Sequence, residues 1–199
     1  MWALVESDNV TKVYTRPKGL TIGDVNYPSN IFMLWSSSEL EAIGIYKIVI
    51  DDSNFKDKEY YINTDQSFAF ADGTVTATYG TATAIAIADT LYTAQDETDG
   101  LGTEGEVKSK GLKTNYKAII NQQAGGILRP TDWMVVRAAE GGTAVPSSVT
   151  TKRAAVRTKA NAMCTAIDNA ADIDALIALY KYNDDTPAVR PLGELPLVD

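Results

Sequence analysis

Residues Ser67–Gly80 read SFAFADGTVTATYG, two alternating runs on either side of Asp72-Gly73. An Asp-Gly pair in that setting is a strong signal for a two-residue hairpin turn, whose two central residues take positive φ. With the turn placed there, Phe70 pairs with Val75 and Phe68 with Ala77. Phe68, Phe70, Val75, Ala77 and Tyr79 then share one face of the ribbon, because side chains alternate along a strand. That face is buried and the other is wet.

Working back from this hairpin, the N-terminal part reads as short strands with one small helix. WALV and KVY flank the polar turn SDN and form an opening hairpin, and the segment from Arg16 to Pro28 is rich in Pro, Gly and Asn, which suits a surface loop. In WSSSELEAIGIY, Ser36 to Ser38 can cap a short helix carrying Leu40 and Ile43, and Gly44 can end it in the left-handed conformation. The strand YKIVI, Tyr46 to Ile50, follows directly.

Beyond the hairpin, TATAIAIADTLYTAQ alternates like a strand, but its alanine content and the Ile85, Ala88, Tyr92 spacing favour a helix. Next comes DETDGLGTEGE, Asp96 to Glu106, a solvated mobile loop. Leu112, Tyr116, Ile119, Ile120, Gln123 and Ile127 mark a helix that fails at Gly125-Gly126 and stops before Pro130. Thr131 or Asp132 caps a short helix in TDWMVVRAAE, which Gly141-Gly142 breaks. Pro146 then opens the longest helix, to about Asn169, with Val149, Val156, Ala160, Met163 and Ile167 on one stripe. Asp172 caps a last helix bearing Ile173, Leu176, Ile177 and Tyr180. The expected class is α+β: a small β-rich N-terminal part with a β-hairpin, then a C-terminal antiparallel helical hairpin or bundle. The divisions are 1–80 as the β-rich domain, 81–105 as helix and acidic Gly-rich linker, 106–182 as the helical domain, and 183–199 as an extended Pro-rich tail.

Composition narrows function. The chain has 199 residues, 18 Lys+Arg against 26 Asp+Glu, a net charge of -8 and no histidine. Its overall field repels nucleic-acid phosphate and anionic lipid, so neither nucleic acid nor membrane is an expected partner. Without histidine the commonest general base and metal ligand is missing, and no GxSxG, phosphate loop, GxGxxG or paired cysteines replace it. No catalytic residue, cofactor or metal is expected. The acidic loop resembles a calcium loop only in composition, since counting from Asp96 the fifth position is Gly100 and the sixth Leu101. The single Cys164 falls in a helical apolar pattern and reads as a small hydrophobe. MWALVESDNVTK lacks a basic leader and an apolar run, so the expectation is a soluble, unprocessed chain made in a cytoplasm.

Between Glu140 and Asp168 stand four bases, Lys152, Arg153, Arg157 and Lys159, and no acid. They form either a solvated helix face or a docking face that meets a partner or the chain's own acidic loop. Trp133, just inside a helix start, reads as core, plugging the corner between the helix from Leu112 and the helix after Pro146.

The stretch LRPTDWMVVRAAEGGTAVPSSVTTKRAAVR, Leu128 to Arg157, resembles the C-terminal signature of tailed-bacteriophage tail assembly chaperones and tail-fibre-assembly proteins. In that signature Thr-Asp-Trp, a proline and a helix with two arginines four apart recur in order, here Thr131, Asp132, Trp133, Pro146, Arg153 and Arg157. MWALVES, YPSNIFMLWSSSELEAIGIY and DGTVTATYG also look like accessory proteins of marine phages. The resemblance implies a non-enzymatic tail accessory protein that binds the tail fibre or baseplate, and the acid-free run of Lys152, Arg153, Arg157 and Lys159 is the expected contact. It would work in the host cytoplasm during assembly or remain in the virion tail. A homo-oligomer is also open, from the spacing of Val149, Val156 and Met163. The other reading is a host-recognition, carbohydrate-binding module at the tail tip, with Tyr46, Tyr60, Tyr61 and Trp35 as stacking faces.

Overall fold

The computed structural model describes residues 1–197, and the chain divides into two compact units, Met1–Thr83 and Ala84–Asp199. The class is the expected α+β, with strands first and long helices after.

In the first unit, β1 (Trp2–Glu6) and β2 (Asn9–Tyr14) form the opening hairpin, turning at Ser7-Asp8 with positive φ at both residues. β3 (Leu20–Ile22) and β4 (Val25–Tyr27) form a second hairpin inside the segment expected to be loop. Two alternating triplets around Gly23-Asp24 are enough for a ribbon. Its inward residue Leu20 is buried against Tyr14, Ile31 and Phe32, which supplies the stability that three-residue strands lack alone.

The helical turn α1 (Ile31–Leu34) is followed by α2 (Ser37–Glu41), which starts on a capping box. Ser36 Oγ accepts from the Glu39 amide, and the Ser36 amide donates to the Glu39 carboxylate at 2.7 Å. Gly44 ends this segment at φ +79°, and its carbonyl accepts from the Val5 amide at 2.8 Å. β5 (Ile45–Asp51) and the short β6 (Tyr61–Ile62) follow. β7 (Gln66–Ala71) and β8 (Thr74–Tyr79) pair with Phe70 opposite Val75 and Phe68 opposite Ala77, and Asp72 and Gly73 both have positive φ. The expected register is therefore present residue for residue.

Five of these strands form one sheet in the order β2-β1-β5-β8-β7, with β5 and β8 parallel. Successive residues of β1 point to opposite faces, and both Ala3 and Leu4 are buried. Leu4 joins Tyr14, Phe32, Leu40 and Ile45 under the small helices. Ala3 joins Ile48, Val75 and Ala77 on the other face, closed by Val10, Val13, Phe68 and Phe70 as the sheet curls on itself.

β9 (Thr83–Ala84) falls at the division, and the second unit then has β10 (Thr90–Leu91), α3 (Ala94–Thr98) and β11 (Val107–Ser109), with β10 and β11 paired. The helix expected over 81–95 is thus absent. The extended segment instead brackets the start of α4 (Leu112–Leu128). The amides of Leu112 and Lys113 donate to the carbonyls of Ala86 and Ile87 at 3.0 Å each, and the Gly111 amide donates to Asp89 Oδ1 at 2.8 Å. These bonds satisfy amides that a helix start leaves unpaired.

The acidic stretch is also ordered by its own chemistry. Thr93 and Asp96 form a second capping box, Lys108 bonds Asp96 at 2.6 Å, and the Gly105 amide donates to the Tyr92 carbonyl.

α4 runs straight through Gly125-Gly126 and ends before Pro130, in a 3-10 turn at Arg129–Thr131. Its buried residues Leu112, Tyr116, Ile120 and Ala124 recur every four positions and face Val156, Ala160, Met163 and Ile167 of α6 (Ser147–Asn169). The pair is antiparallel: Lys113 and Lys117 at the start of α4 bond Asp168 near the end of α6, while Arg153 near the start of α6 bonds the carbonyl of Leu128. Between them lies α5 (Asp132–Ala139). α7 (Ile173–Tyr180) is capped by Asp172, whose side chain accepts from the Ala175 amide, and it buries Leu176. The proline-rich tail has no helix or strand through residue 197, yet it is docked: Leu192 is 2% exposed and its amide donates to the Leu179 carbonyl.

Candidate functional site

The corner between α4 and α6 is built around Arg153. Pro130 has no amide proton to continue α4, so the carbonyls of its last turn need other donors. Arg153 Nη1 donates to Leu128 O at 2.7 Å and to Thr131 Oγ1 at 2.6 Å, and Nη2 donates to Asp132 Oδ1 at 2.8 Å. Thr131 Oγ1 itself donates to Leu128 O at 2.9 Å. The planar fork of a guanidinium suits this divergent set of acceptors. Thr131, Asp132 and Arg153 are thus one cluster, and Pro146, immediately before α6, sets the return of the chain. With its side chain 11% exposed, Arg153 is a clasp within the fold.

That clasp occupies the place expected for Trp133. Trp133 is 54% exposed, and the Arg137 guanidinium lies 4.8 Å from its ring centroid, one helical turn on. Val135 and Val136 are exposed as well, and α5 has no buried residue. The expectation of a buried Trp133 is overturned because three hydrogen bonds from Arg153, rather than an aromatic plug, hold the corner.

Alongside α5, Val135, Val145, Thr150, Arg153 and Arg157 line a groove of about 270 Å³.

The four bases therefore separate. Arg153 is the clasp. Lys159 Nζ donates to Leu192 O at 2.9 Å and ties down the tail. Lys152 is half-buried and engaged with another residue. Arg157 is exposed on the groove and has no hydrogen bond or ion pair to another described residue. A single four-residue basic docking face is not formed. What is available is Arg157 beside the apolar face of α5. The signal for that face was in the sequence, since Trp133 and Arg137 stand four apart, but the exposure of Val135 and Val136 had no local marker.

The other candidates are used internally. Bonds from Lys108 and then from the Thr93 amide and hydroxyl hold the Asp96 carboxyl down at about 2. Among the described residues no group of three carboxylate or thiol side chains is placed to hold a metal ion. Burial pushes the Cys164 thiol above its ordinary value, with Lys117 pulling the other way, and its Sγ lies 3.9 Å from Asn121 Oδ1. Of the four stacking candidates, Tyr60 is buried, Trp35 meets Tyr27 edge-on at 5.8 Å, Tyr46 packs on Phe70 at 4.7 Å, and Tyr61 is half-buried and engaged. No family of known proteins matches the chain, nor does any curated protein or solved structure.

Proposed function

We propose that this chain is a non-enzymatic accessory protein of a bacteriophage tail, which binds a tail-fibre or baseplate protein. The observation that carries the binding role is α5, a folded helix with no buried residue that presents Trp133, Val135 and Val136 to solvent beside Arg157. Large exposed aromatics next to arginine are the residue types that dominate protein interfaces when covered. The resemblance at Thr131 to Arg157 supports a tail partner, and the same stretch contains both the clasp and the exposed face. Binding takes place in the host cytoplasm during assembly, or persists in the virion tail.

Co-purification with the fibre and baseplate proteins of the same phage tests this reading. Wild type is expected to capture one of them, and Trp133→Ala with Val136→Asp to lose capture by roughly 10- to 100-fold, the usual effect of removing an interface anchor. Arg157→Glu is expected to slow association and reduce its salt dependence. No capture of any tail protein by the wild type refutes the function. Undiminished capture by the double variant removes α5 from the interface. A solution mass equal to a dimer that falls to monomer in the double variant assigns α5 to a second copy of the chain instead.

A further inference from the structure

In the first unit, Phe55 and Tyr79 face each other with ring centroids 5.0 Å apart and planes inclined at 59°, outside both hydrophobic cores. Polar bonds rather than core packing hold them. Asn54 Nδ2 donates to Tyr79 O at 3.0 Å, and the Phe55 amide donates to Asp52 O at 2.8 Å. Asn63 both accepts from the Lys56 amide and donates to its carbonyl, at 2.8 and 2.7 Å. The Gly80 amide donates to Thr64 Oγ1 at 2.7 Å. A loop fastened at so many points keeps its shape without a ligand, which lowers the cost of binding one.

This aromatic pair forms one wall of a cleft of about 300 Å³, whose polar groups include Lys58, Asp65 and Gln66. Lys58 Nζ stands 5.6 Å from the Phe55 centroid. The side chains of Asp65 and Gln66 have no hydrogen bond or ion pair to another described residue. An aromatic wall beside several polar side chains offers a ligand both an apolar contact and hydrogen-bonding partners.

We propose that this cleft is a saccharide site that takes one neutral pyranose ring. The C–H face of a pyranose is apolar and lies on an aromatic ring, while its hydroxyls both donate and accept. A carboxylate accepts from hydroxyls, an ammonium donates to them, and an amide does both, so Asp65, Lys58 and Gln66 supply both kinds of partner that sugar hydroxyls need. The opposite charges of Lys58 and Asp65 offset each other, which favours a neutral sugar over an anionic one. The site shares no residue with α5, so its failure leaves the tail-binding reading untouched.

Saturation-transfer NMR on the full chain, with glucose, galactose, mannose and N-acetylglucosamine, and with N-acetylneuraminic acid as an anionic comparison, tests the site. At least one neutral sugar is expected to bind in the millimolar range. Phe55→Ala should weaken it at least about tenfold, and Phe55→Tyr should preserve it. Asp65→Asn, which changes no packing, should weaken it several-fold, with an unchanged circular dichroism spectrum showing that the fold is intact. No transfer to any neutral sugar overturns the proposal, as does binding of the anionic sugar alone. Binding that survives in both Phe55→Ala and Asp65→Asn places the sugar elsewhere and also overturns it.

Discussion

Arg153→Ala should destabilise the second unit by about 2–4 kcal/mol. The arms to Leu128 O and Thr131 Oγ1 are part-buried charged hydrogen bonds of 2.7 and 2.6 Å, each of a kind that contributes about 1.5–3 kcal/mol net. Both come from one nitrogen and share a network with the Thr131 hydroxyl, so their contributions do not add in full. The third arm reaches Asp132, whose side chain is 55% exposed, and solvent screening limits it to less than about 1 kcal/mol. For a unit of this size the loss corresponds to a fall in Tm of about 8–16 °C. Urea unfolding followed by the helical circular dichroism signal measures it, since the long helices all lie in this unit. Arg153→Lys keeps the charge but cannot span three divergent acceptors, so it should recover less than half of the loss. Asp132→Asn should cost under about 1 kcal/mol. A loss below about 1 kcal/mol for Arg153→Ala, or full recovery by lysine, would refute the clasp.

Trp133→Ala should cost about 1–2 kcal/mol, less than the roughly 3–5 kcal/mol typical of a buried aromatic, because just over half of the residue is exposed, and thermal unfolding checks this directly. Gly125→Ala and Gly126→Ala should each stabilise by about 0.5–1 kcal/mol, since a Cβ at either position meets no atom within 4 Å and glycine weakens a helix interior; unfolding midpoints that fall instead would contradict the unobstructed geometry. Gly44→Ala should cost about 1–2 kcal/mol for the left-handed backbone alone, and more because its Cβ would lie 2.8 Å from the Val5 carbonyl oxygen. The Asp96 carboxyl, held at about 2 in the fold against about 3.9 in an unfolded chain, adds stability that is complete above the higher value and disappears as pH falls through the lower one. An NMR titration of that carboxyl with a midpoint near 4 would show that the Lys108 and Thr93 bonds do not persist in solution.

The first unit was the more legible because its signals are local. Asp72-Gly73 dictates its own backbone, Ser36 and Glu39 cap each other across three residues, and Gly44 stops the segment at the position its conformation allows. The helix pair was legible through period, since Leu112, Tyr116 and Ile120 recur on one stripe and Val156, Ala160, Met163 and Ile167 on another.

What the sequence did not reveal depends on distant groups. The run from Thr81 to Gln95 has alanine enough for a helix, but its carbonyls at Ala86 and Ile87 are taken by the amides that open α4, some 26 residues downstream, and that use requires an extended chain. Gly125-Gly126 has the composition of a helix end, yet packing of α4 on α6 outweighs a propensity cost of about 1 kcal/mol per glycine. At the site, the charges of Lys152, Arg153, Arg157 and Lys159 were visible but their destinations were not. Only the fold brings Leu128 and Thr131 to Arg153, and Leu192 to Lys159.

α5 stands fully wound without burying any of its residues, fastened at its first turn by Arg153. If α5 docks a partner as proposed, that partner meets a finished surface, so no chain has to be ordered at the moment of contact and the entropy of that ordering is absent from the binding equilibrium. Association should then proceed as rigid docking steered by Arg157. Differences in affinity among variants of Trp133, Val135 and Val136 should appear almost wholly in how long the complex lasts.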